Sequence, residues 1–241
     1  MADRLVAEKT PATVQEIFTA LWRAWVQIFG TTPRVESILI LLAQWAFETG
    51  YGKAMRCFNF GNVKSTPTDG FDYCYFACNE ILTKAQALAY VAKNPETAKI
   101  TKVRDDGKVV IWFYPDHPGC RFRAFHSIFE GAIDHLSIVS KKFSKSWPAV
   151  LAGDPKQYAH MLKMQKYYTG DESVYTSSLV SIFHGLVKRN MVVEPEEVKP
   201  VDLNQITDME KQRIAALVSL TMQQSYEENT RFTRILNDED S

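Results

Sequence analysis

Helical periodicity is the feature of this sequence that most narrows the folds open to it. In the first segment, apolar side chains recur at i, i+3, i+4 and i+7, the spacing of one face of an amphipathic helix: Val14, Ile17, Phe18, Leu21, Trp25 and Ile28. The same spacing predicts helices over residues 33–49, 81–93 and 125–139, and two more that begin at Pro155 and near Ser173. Gly30 and Gly50 follow the first two helices and suit left-handed caps. The chain is therefore predicted to be mostly helical.

One stretch departs from this helical pattern. Residues 99–104 and 108–114 alternate apolar and polar side chains around Asp105-Asp106-Gly107, a turn sequence that favours a β-hairpin. Residues 51–72 are rich in Gly, Asn, Thr, Pro and Asp, which indicates a structured loop region. The predicted fold class is mostly α (α+β), a helical domain with a small β-hairpin lobe.

The C-terminal part is predicted to be an extension of that domain. Residues 191–206 contain two prolines and a run of acidic side chains, which is typical of a linker. Thr207 and Glu210 form a capping-box pattern that opens a helix. We therefore predict a domain over residues 1–190, a linker over 191–206 and a C-terminal helix over 207–241. We expect that helix to pack on its own domain, with a protein partner or self-association as the alternative.

Charge and hydropathy exclude several classes of protein. The 28 basic and 28 acidic side chains cancel, so no global positive field favours nucleic acid as a partner. Residues 192–241 carry 11 acidic and 5 basic side chains, which leaves residues 1–191 mildly basic and weakly compatible with a polyanionic partner. The longest apolar stretch, near Ile38–Ala43, is far too short for stable membrane insertion. The N-terminus lacks the apolar run of a secretory signal, so we expect synthesis in the cytoplasm.

The side chains that most often bind metals lack the spacing of a metal site. Cys57, Cys74, Cys78 and Cys120 match no paired zinc motif and are expected to be reduced, partly buried thiols. The five histidines form no metal-binding spacing, and the sequence contains no P-loop and no G-x-G-x-x-G run. No metal or organic cofactor is expected.

One carboxylate has surroundings that suit acid catalysis. Glu48 ends an apolar helix beside Trp45, Phe47 and Tyr51. Apolar surroundings destabilise the charged form and raise the pKa of a carboxyl, so that it can hold a proton near neutral pH and give it to a leaving group. Residues 59–64 supply amides and aromatic faces suited to sugar hydroxyls and N-acetyl groups. The alternative, favoured by periodicity taken by itself, is a surface glutamate at a helix end.

Two runs that start at Glu48 carry a family resemblance. Residues 48–53 (ETGYGK) followed by residues 59–64 (NFGNVK) resemble the signature of the bacterial and phage glucosaminidases of glycoside hydrolase family 73. Two later segments are similar to family segments in the same order, Phe122-Arg123-Ala124-Phe125 and then Tyr167-Tyr168-Thr169 with Asp171 and Tyr175. The resemblance covers about residues 13–187. It implies a lysozyme-like fold and cleavage of the β-1,4 glycan of peptidoglycan.

The resemblance also implies roles for individual residues. Glu48 matches the general acid, and Tyr167 matches the site tyrosine, with Tyr168 as the alternative. The second carboxylate of the family stands in a Thr-x-Glu context, for which the nearest match is Glu80 in Cys78-Asn79-Glu80. Its alternatives are two loop aspartates, Asp69 and Asp72. The predicted substrate-binding residues are the aromatic and polar side chains that follow Glu48 and Tyr167: Tyr51, Asn59, Phe60, Asn62, Lys64 and Tyr168.

These residues predict an endo-β-N-acetylglucosaminidase that acts on peptidoglycan glycan strands. Glu48 would be the general acid, and either Glu80 or the substrate's own 2-acetamido group would assist the attack of water. The alternatives are a muramidase or lytic transglycosylase on the same fold and, in another class, a non-catalytic wall-binding or structural component of a virion or secretion machine. Because the substrate lies outside the membrane, we expect delivery by holin-type release, as a virion component, or by a dedicated secretion system.

Overall fold

Helices make up most of the protein, with a small β lobe inserted between them. The computed structural model describes residues 2–168, 170–191, 207–217 and 219. Its α-helices are α1 (Val14–Phe29), α2 (Val35–Thr49), α3 (Lys84–Lys93), α4 (Ile128–Ser137), α5 (Trp147–Ala152), α6 (Pro155–Met164) and α7 (Glu172–Val187). Its strands are β1 (Tyr73–Tyr75), β2 (Cys78–Thr83), β3 (Ala98–Val103), β4 (Lys108–Phe113) and β5 (Arg121–Arg123). The predicted fold class, mostly α with a small β lobe, is confirmed.

Helix α1 begins and ends as the sequence predicts, whereas α2 ends as predicted but begins at Val35, two residues later than predicted. The hydroxyl of Thr13 accepts a hydrogen bond from the N–H of Glu16 at 3.1 Å, and the Glu16 carboxylate accepts one from the N–H of Thr13 at 2.7 Å. This reciprocal pair satisfies backbone donors that the first turn of α1 leaves open. Gly30 (φ 66°) and Gly50 (φ 57°) close α1 and α2 in the left-handed conformation.

Helix α2 is the centre of the hydrophobic core. Its residues 37–46 are all buried, and Trp45 has no exposed surface. Helices α1, α5 and α7 pack directly against α2, and α4 packs against α1. A helix that is apolar on every face is one that other elements enclose. The backbone at the C-terminal end of α2, where Glu48 lies, is therefore held firmly by the helical body.

The β lobe consists of two small antiparallel sheets. In one, the strand order is β2-β4-β3, so that β3 and β4 form the predicted hairpin; in the other, β1 pairs with β5. The prediction of a helix from residue 81 is wrong at its start, because Ile81 and Leu82 lie in β2 opposite Val110 and Val109. Two adjacent apolar residues fit either structure, and pairing with β4 decides the outcome. Helix α3 begins after Thr83.

Helix α4 starts three residues later than predicted. Ser127 caps it, since its hydroxyl accepts a hydrogen bond from the N–H of Glu130 at 3.2 Å. Phe125 lies outside the helix, and its N–H donates to the carbonyl oxygen of Cys57 at 2.9 Å. At its other end α4 passes into a π-helical turn, Ile138–Lys142, a geometry that is frequent at functional sites.

The start of the predicted C-terminal helix packs on the domain. The predicted capping box is present: the N–H of Thr207 donates to the Glu210 carboxylate at 2.8 Å. The helical residues that follow contact the body, because Leu217 is buried in the core and Arg213 donates to Glu130 at 3.2 Å. This part of the helix therefore packs on its own domain, as expected.

The predicted linker and the end of the predicted C-terminal helix fall outside the described residues. The structure does not describe residues 192–206 and 220–241, so the predicted domain boundaries stay predictions. Among the helices that the structure describes, none is both long enough and apolar enough to cross a membrane.

Gly131 provides a test of how closely α4 packs against the loop that follows α2. A Cβ at Gly131 would collide with the carbonyl oxygen of Phe58, so Gly131→Ala must displace the helix or the loop. We expect a loss of about 1–3 kcal/mol in the free energy of unfolding, measured by urea denaturation. Gly185→Ala in α7 is the matched control: its Cβ meets no atom within 4 Å, and we expect stabilisation of up to about 1 kcal/mol. Equal effects of the two substitutions would contradict this packing.

Candidate active site

A cavity of about 440 Å³ opens between the helical body and the β lobe. We call it the groove. Its walls come from the end of α2, the loop after it, strand β2, the π-helical turn and the segment after α6. Six of the predicted site residues line it: Glu48, Asn62, Lys64, Glu80, Tyr167 and Tyr168. The size is within the range of small-molecule sites, and residues far apart in the sequence meet there.

The turn after α2 fixes the position of Glu48. The Thr49 hydroxyl donates to the carbonyl oxygen of Trp45 at 2.6 Å and accepts from the N–H of Gly52 at 2.9 Å. A Cβ at Gly52 (φ 81°) would lie 3.1 Å from the Trp45 ring, so glycine is the residue that fits this turn. The Asn62 amide donates to the carbonyl oxygen of Glu48 at 3.0 Å. Several residues of the ETGYGK and NFGNVK runs therefore hold the backbone that presents the carboxyl.

The Glu48 carboxyl is partly buried at the edge of the groove. Burial raises its pKa from 4.5 to about 7, because the charged form loses hydration. Hydrogen bonds from the hydroxyls of Tyr175 and Tyr167 favour the carboxylate and oppose this rise in pKa. The Tyr175 hydroxyl oxygen lies 3.3 Å from Glu48 Oε1. Burial is the larger effect, so a large fraction of Glu48 is protonated at neutral pH.

Aromatic rings enclose the side of the groove at which Tyr175 meets Glu48. The rings of Tyr168 and Tyr175 stack with centroids 3.8 Å apart and planes 10° apart. The Phe47 ring packs edge-on against Tyr175 at 4.8 Å, and the Tyr168 hydroxyl donates to the carbonyl oxygen of Ala159 at 3.1 Å. This stack places apolar surface beside the carboxyl, which is the physical origin of its desolvation.

Buried hydroxyl groups form a second layer behind Glu48. Gln44, one helical turn earlier in α2, is fully buried and accepts a hydrogen bond from the Tyr158 hydroxyl at 2.5 Å. Burial and the nearby Glu48 charge raise the pKa of Tyr158 and of Tyr167 well above the usual value. Both tyrosines therefore stay neutral hydrogen-bond donors at physiological pH. Glu48 is the member of this group that titrates near neutrality.

Glu80 reaches the groove from the β lobe. It lies in β2, and its Oε1 is 3.7 Å from Nζ of Lys64. The two side chains are 48% and 41% exposed, so this ion pair is weak and the carboxylate can contact a ligand or water. The Lys64 ammonium also lies 4.1 Å above the centre of the Phe122 ring and contacts the carbonyl oxygen of Gly119. The groove thus has one acidic group from the helical body and a second from the β lobe.

Asp69 and Asp72, the alternatives to Glu80, do not line the groove. The Asp69 side chain is 8% exposed, and its carboxylate lies 3.6 Å from Nε of Arg123. Asp72 contacts His126 at 3.0 Å. Both aspartates have partners and neither lines the groove, which favours Glu80 as the second carboxylate.

Three predicted binding residues do not line the groove either. Asn59 and Phe60 are each 1% exposed. The Asn59 amide donates to the carbonyl oxygens of Val63 (3.0 Å) and Arg123 (2.9 Å), and Phe60 belongs to the hydrophobic core. The prediction that these two side chains contact substrate is wrong, because they hold the loop together from inside. Tyr51 is exposed in the turn after α2, outside the groove, and its contact with substrate stays a prediction.

The site also includes residues that sequence reasoning did not assign to it. Tyr175 contacts Glu48 from α7 without lining the groove, and it lies 127 positions away in the sequence. It fits the apolar face of α7, so the signal for its role was its place in the family segment. Lys141, Lys142 and Phe143 line the groove from the π-helical turn and its end. A π-helical turn changes which side chains face a neighbour, and regular helical spacing cannot signal it.

The described residues contain no group of three or more His, Cys, Asp or Glu side chains that could hold a metal ion. The cysteines instead meet in pairs, Cys57 with Cys74 and Cys78 with Cys120. All four thiols are free.

Comparison with known proteins finds similarity to two solved structures. One is a peptidoglycan hydrolase mutant from Sphingomonas sp. A1, with 20% identity, a TM-score of 0.44, and coverage of 73% of this chain and 97% of that chain. The other is a C-terminally truncated glycoside hydrolase domain of FlgJ from Salmonella typhimurium, with 18% identity, a TM-score of 0.41, and coverage of 73% and 98%. Neither a family model nor a curated protein sequence matches the chain.

The raised pKa of Glu48 predicts how stability depends on pH. The unfolded carboxyl ionises near pH 4.5, whereas the folded one keeps its proton until about pH 7, so wild-type stability falls as the pH rises through this range. Glu48→Gln removes the charge, and we expect it to be more stable than the wild type by about 1–3 kcal/mol at pH 8 but not at pH 4. Chemical denaturation at several pH values measures this difference.

Glu16→Gln is the matched control for this measurement. Hydrogen bonds from Thr13 lower the pKa of Glu16, so its contribution to stability is present above pH 4.5 and is lost as the pH falls. This control should therefore be less stable than the wild type at pH 8, the opposite sign. A Glu48→Gln variant that follows the wild type at every pH would contradict the raised pKa.

Proposed function

We propose that the protein is a peptidoglycan hydrolase, and more specifically an endo-β-N-acetylglucosaminidase that cleaves the β-1,4 glycan backbone with Glu48 as general acid. The observation that carries this proposal is a partly buried carboxyl, with its pKa raised to about 7, at the edge of a groove that also contains Glu80. The resemblance of residues 48–53 and 59–64 to the glucosaminidase signature supports the choice of substrate.

The first step of the proposed reaction is proton transfer to the glycosidic oxygen. Protonated Glu48 gives its proton to this oxygen while the bond to the anomeric carbon breaks and positive charge spreads over the sugar ring. The carboxylate left behind accepts hydrogen bonds from the hydroxyls of Tyr175 and Tyr167, which stabilise it. Because its pKa lies near neutrality, the same group can lose and regain a proton in every cycle.

The second step is attack of water on the anomeric carbon. We propose Glu80 as the base that takes a proton from this water. Its carboxylate is half exposed in the groove, whereas Asp69 and Asp72 do not line the groove. In the alternative route, the 2-acetamido oxygen of the substrate attacks the anomeric carbon first, and water then opens this intermediate without Glu80.

Glu48→Gln tests the assignment of the general acid. The amide has no proton to give, so release of reducing sugars from purified sacculi should fall by about 10²–10⁴-fold. Glu36→Gln, at the exposed opposite end of α2, is the matched control and should retain activity. Near wild-type activity of Glu48→Gln would remove Glu48 from the mechanism.

Products of the wild-type digestion test the choice of bond. Mass spectrometry should show fragments with reducing-end N-acetylglucosamine. A reducing-end N-acetylmuramic acid would indicate a muramidase, and a 1,6-anhydro product a lytic transglycosylase. Binding to sacculi without any cleavage would indicate a wall-binding protein instead.

Glu80→Gln separates the two routes for water attack. If Glu80 is the base, the turnover number of the variant should fall by about 10²-fold or more. The wild type should then form the new reducing end with inverted configuration. Asp105→Asn, an exposed position in the hairpin turn of the same lobe, should leave turnover unchanged. Full turnover of Glu80→Gln with retained configuration would assign the role to the 2-acetamido group.

A further inference from the structure

The two cysteine pairs of the β lobe differ in exposure and in neighbouring charge. Cys57 and Cys74 are 5% and 0% exposed, whereas Cys78 is partly exposed. The Cys78 sulfur lies 3.2 Å from Nζ of Lys64. A hydrogen bond from the Cys120 thiol and this ammonium lower the pKa of Cys78, although burial and the Glu80 charge act in the opposite direction. Cys78 is therefore a partly exposed thiol that ionises more readily than an ordinary cysteine, and the thiolate is the reactive form.

We propose that Cys78 and Cys120 are a redox-active dithiol that closes to a disulfide by exchange with a small disulfide such as oxidised glutathione. The Cys78 thiolate attacks one sulfur of the oxidant, and the departing glutathione thiolate takes a proton from water. Cys120 then loses its proton to water and attacks the Cys78 sulfur, which releases the second glutathione. Two protein thiols are oxidised and one small disulfide is reduced to two thiols, so that electrons and protons balance.

Cys120 is placed to complete this exchange. It ends the helical turn Pro118–Cys120, directly before β5, and belongs to a buried cluster against which Cys78 packs. The Cys78 sulfur also lies 3.2 Å from the carbonyl oxygen of Gly119, the neighbour of Cys120, so the second bond requires no large rearrangement. The hydrogen bond to Cys78, burial and the Cys78 charge raise the pKa of Cys120. The effect of the Cys78 charge disappears in the mixed disulfide, because the Cys78 sulfur is then neutral. Formation of the first bond therefore makes the second thiol easier to ionise.

The proposed disulfide adjoins the groove. Lys64 contacts Cys78 on one side and Glu80 on the other, at 3.7 Å. Oxidation converts the ionisable Cys78 thiol into a neutral disulfide sulfur. Glu80 is then the acidic side chain that Lys64 contacts. The charge at the β-lobe wall of the groove thus changes with oxidation. This inference does not depend on the proposed function, because it concerns the thiols.

Oxidation of the full chain with glutathione disulfide at pH 7 tests the proposal. After alkylation of the remaining thiols, peptide mass mapping should show Cys78 linked to Cys120 while Cys57 and Cys74 are still alkylated. The buried pair is thus an internal control within the same folded molecule. The proposal is overturned if Cys78 and Cys120 stay alkylated, if Cys78 stops at the glutathione adduct, or if Cys57 and Cys74 react as fast.

Two variants, with Cys74→Ser as a control, test the individual roles. Cys120→Ser should trap Cys78 as the glutathione mixed disulfide, because the thiol that resolves it is missing, whereas Cys74→Ser should still form the Cys78–Cys120 link. Lys64→Gln should slow the first exchange at pH 7 by roughly three- to tenfold, since the thiolate loses its neighbouring positive charge. An unchanged rate for Lys64→Gln, or Cys120→Ser without the adduct, would contradict the assigned roles. Mapping of the wild type decides the proposal even if a variant does not fold.

Discussion

Desolvation of one carboxyl at the end of an enclosed helix is the constraint on which the rest of the site depends. Helix α2 is surrounded by other helices, and the turn made by Thr49 and Gly52 fixes where its last side chains point. The stacked rings of Tyr168 and Tyr175 place apolar surface beside Glu48. The free energy needed to hold a charge there is what raises the pKa to about 7. A rigid helical core thus sets a chemical property of one side chain.

The two lobes contribute different chemistry to the groove. The helical body supplies the desolvated acid and the neutral tyrosines behind it. The β lobe supplies charged and more exposed groups, Glu80 and Lys64, with the Cys78 thiol beside Lys64. An acid that must hold its proton needs burial, whereas a group that activates water needs solvent. The division between core and lobe meets both requirements.

Helical spacing predicted the long helices because a 3.6-residue period over four turns has few alternatives. Strand β5 was not predicted because it has three residues, two of them arginines, and shows no strand pattern. Ile81 and Leu82 of β2 were assigned to a helix because two adjacent apolar residues fit helix and strand equally, and pairing with a distant strand decides between them. Of the site residues that the family resemblance implies, Glu48 and Glu80 line the groove. The resemblance could not separate them from Asn59 and Phe60, since a loop uses the same polar and aromatic residues to hold its own shape.

The central claim concerns the protonation of Glu48, and a carboxyl titration observes it directly. Carbon-13 labelling of the glutamate carboxyl carbons allows each to be followed by NMR from pH 3 to pH 9, and the Glu48→Gln variant identifies the signal of interest by its disappearance. A midpoint near pH 7 for this signal is the result that the structure predicts. A midpoint near 4.5, the value of an exposed glutamate, would contradict the account, because Glu48 would then have no proton to give at neutral pH.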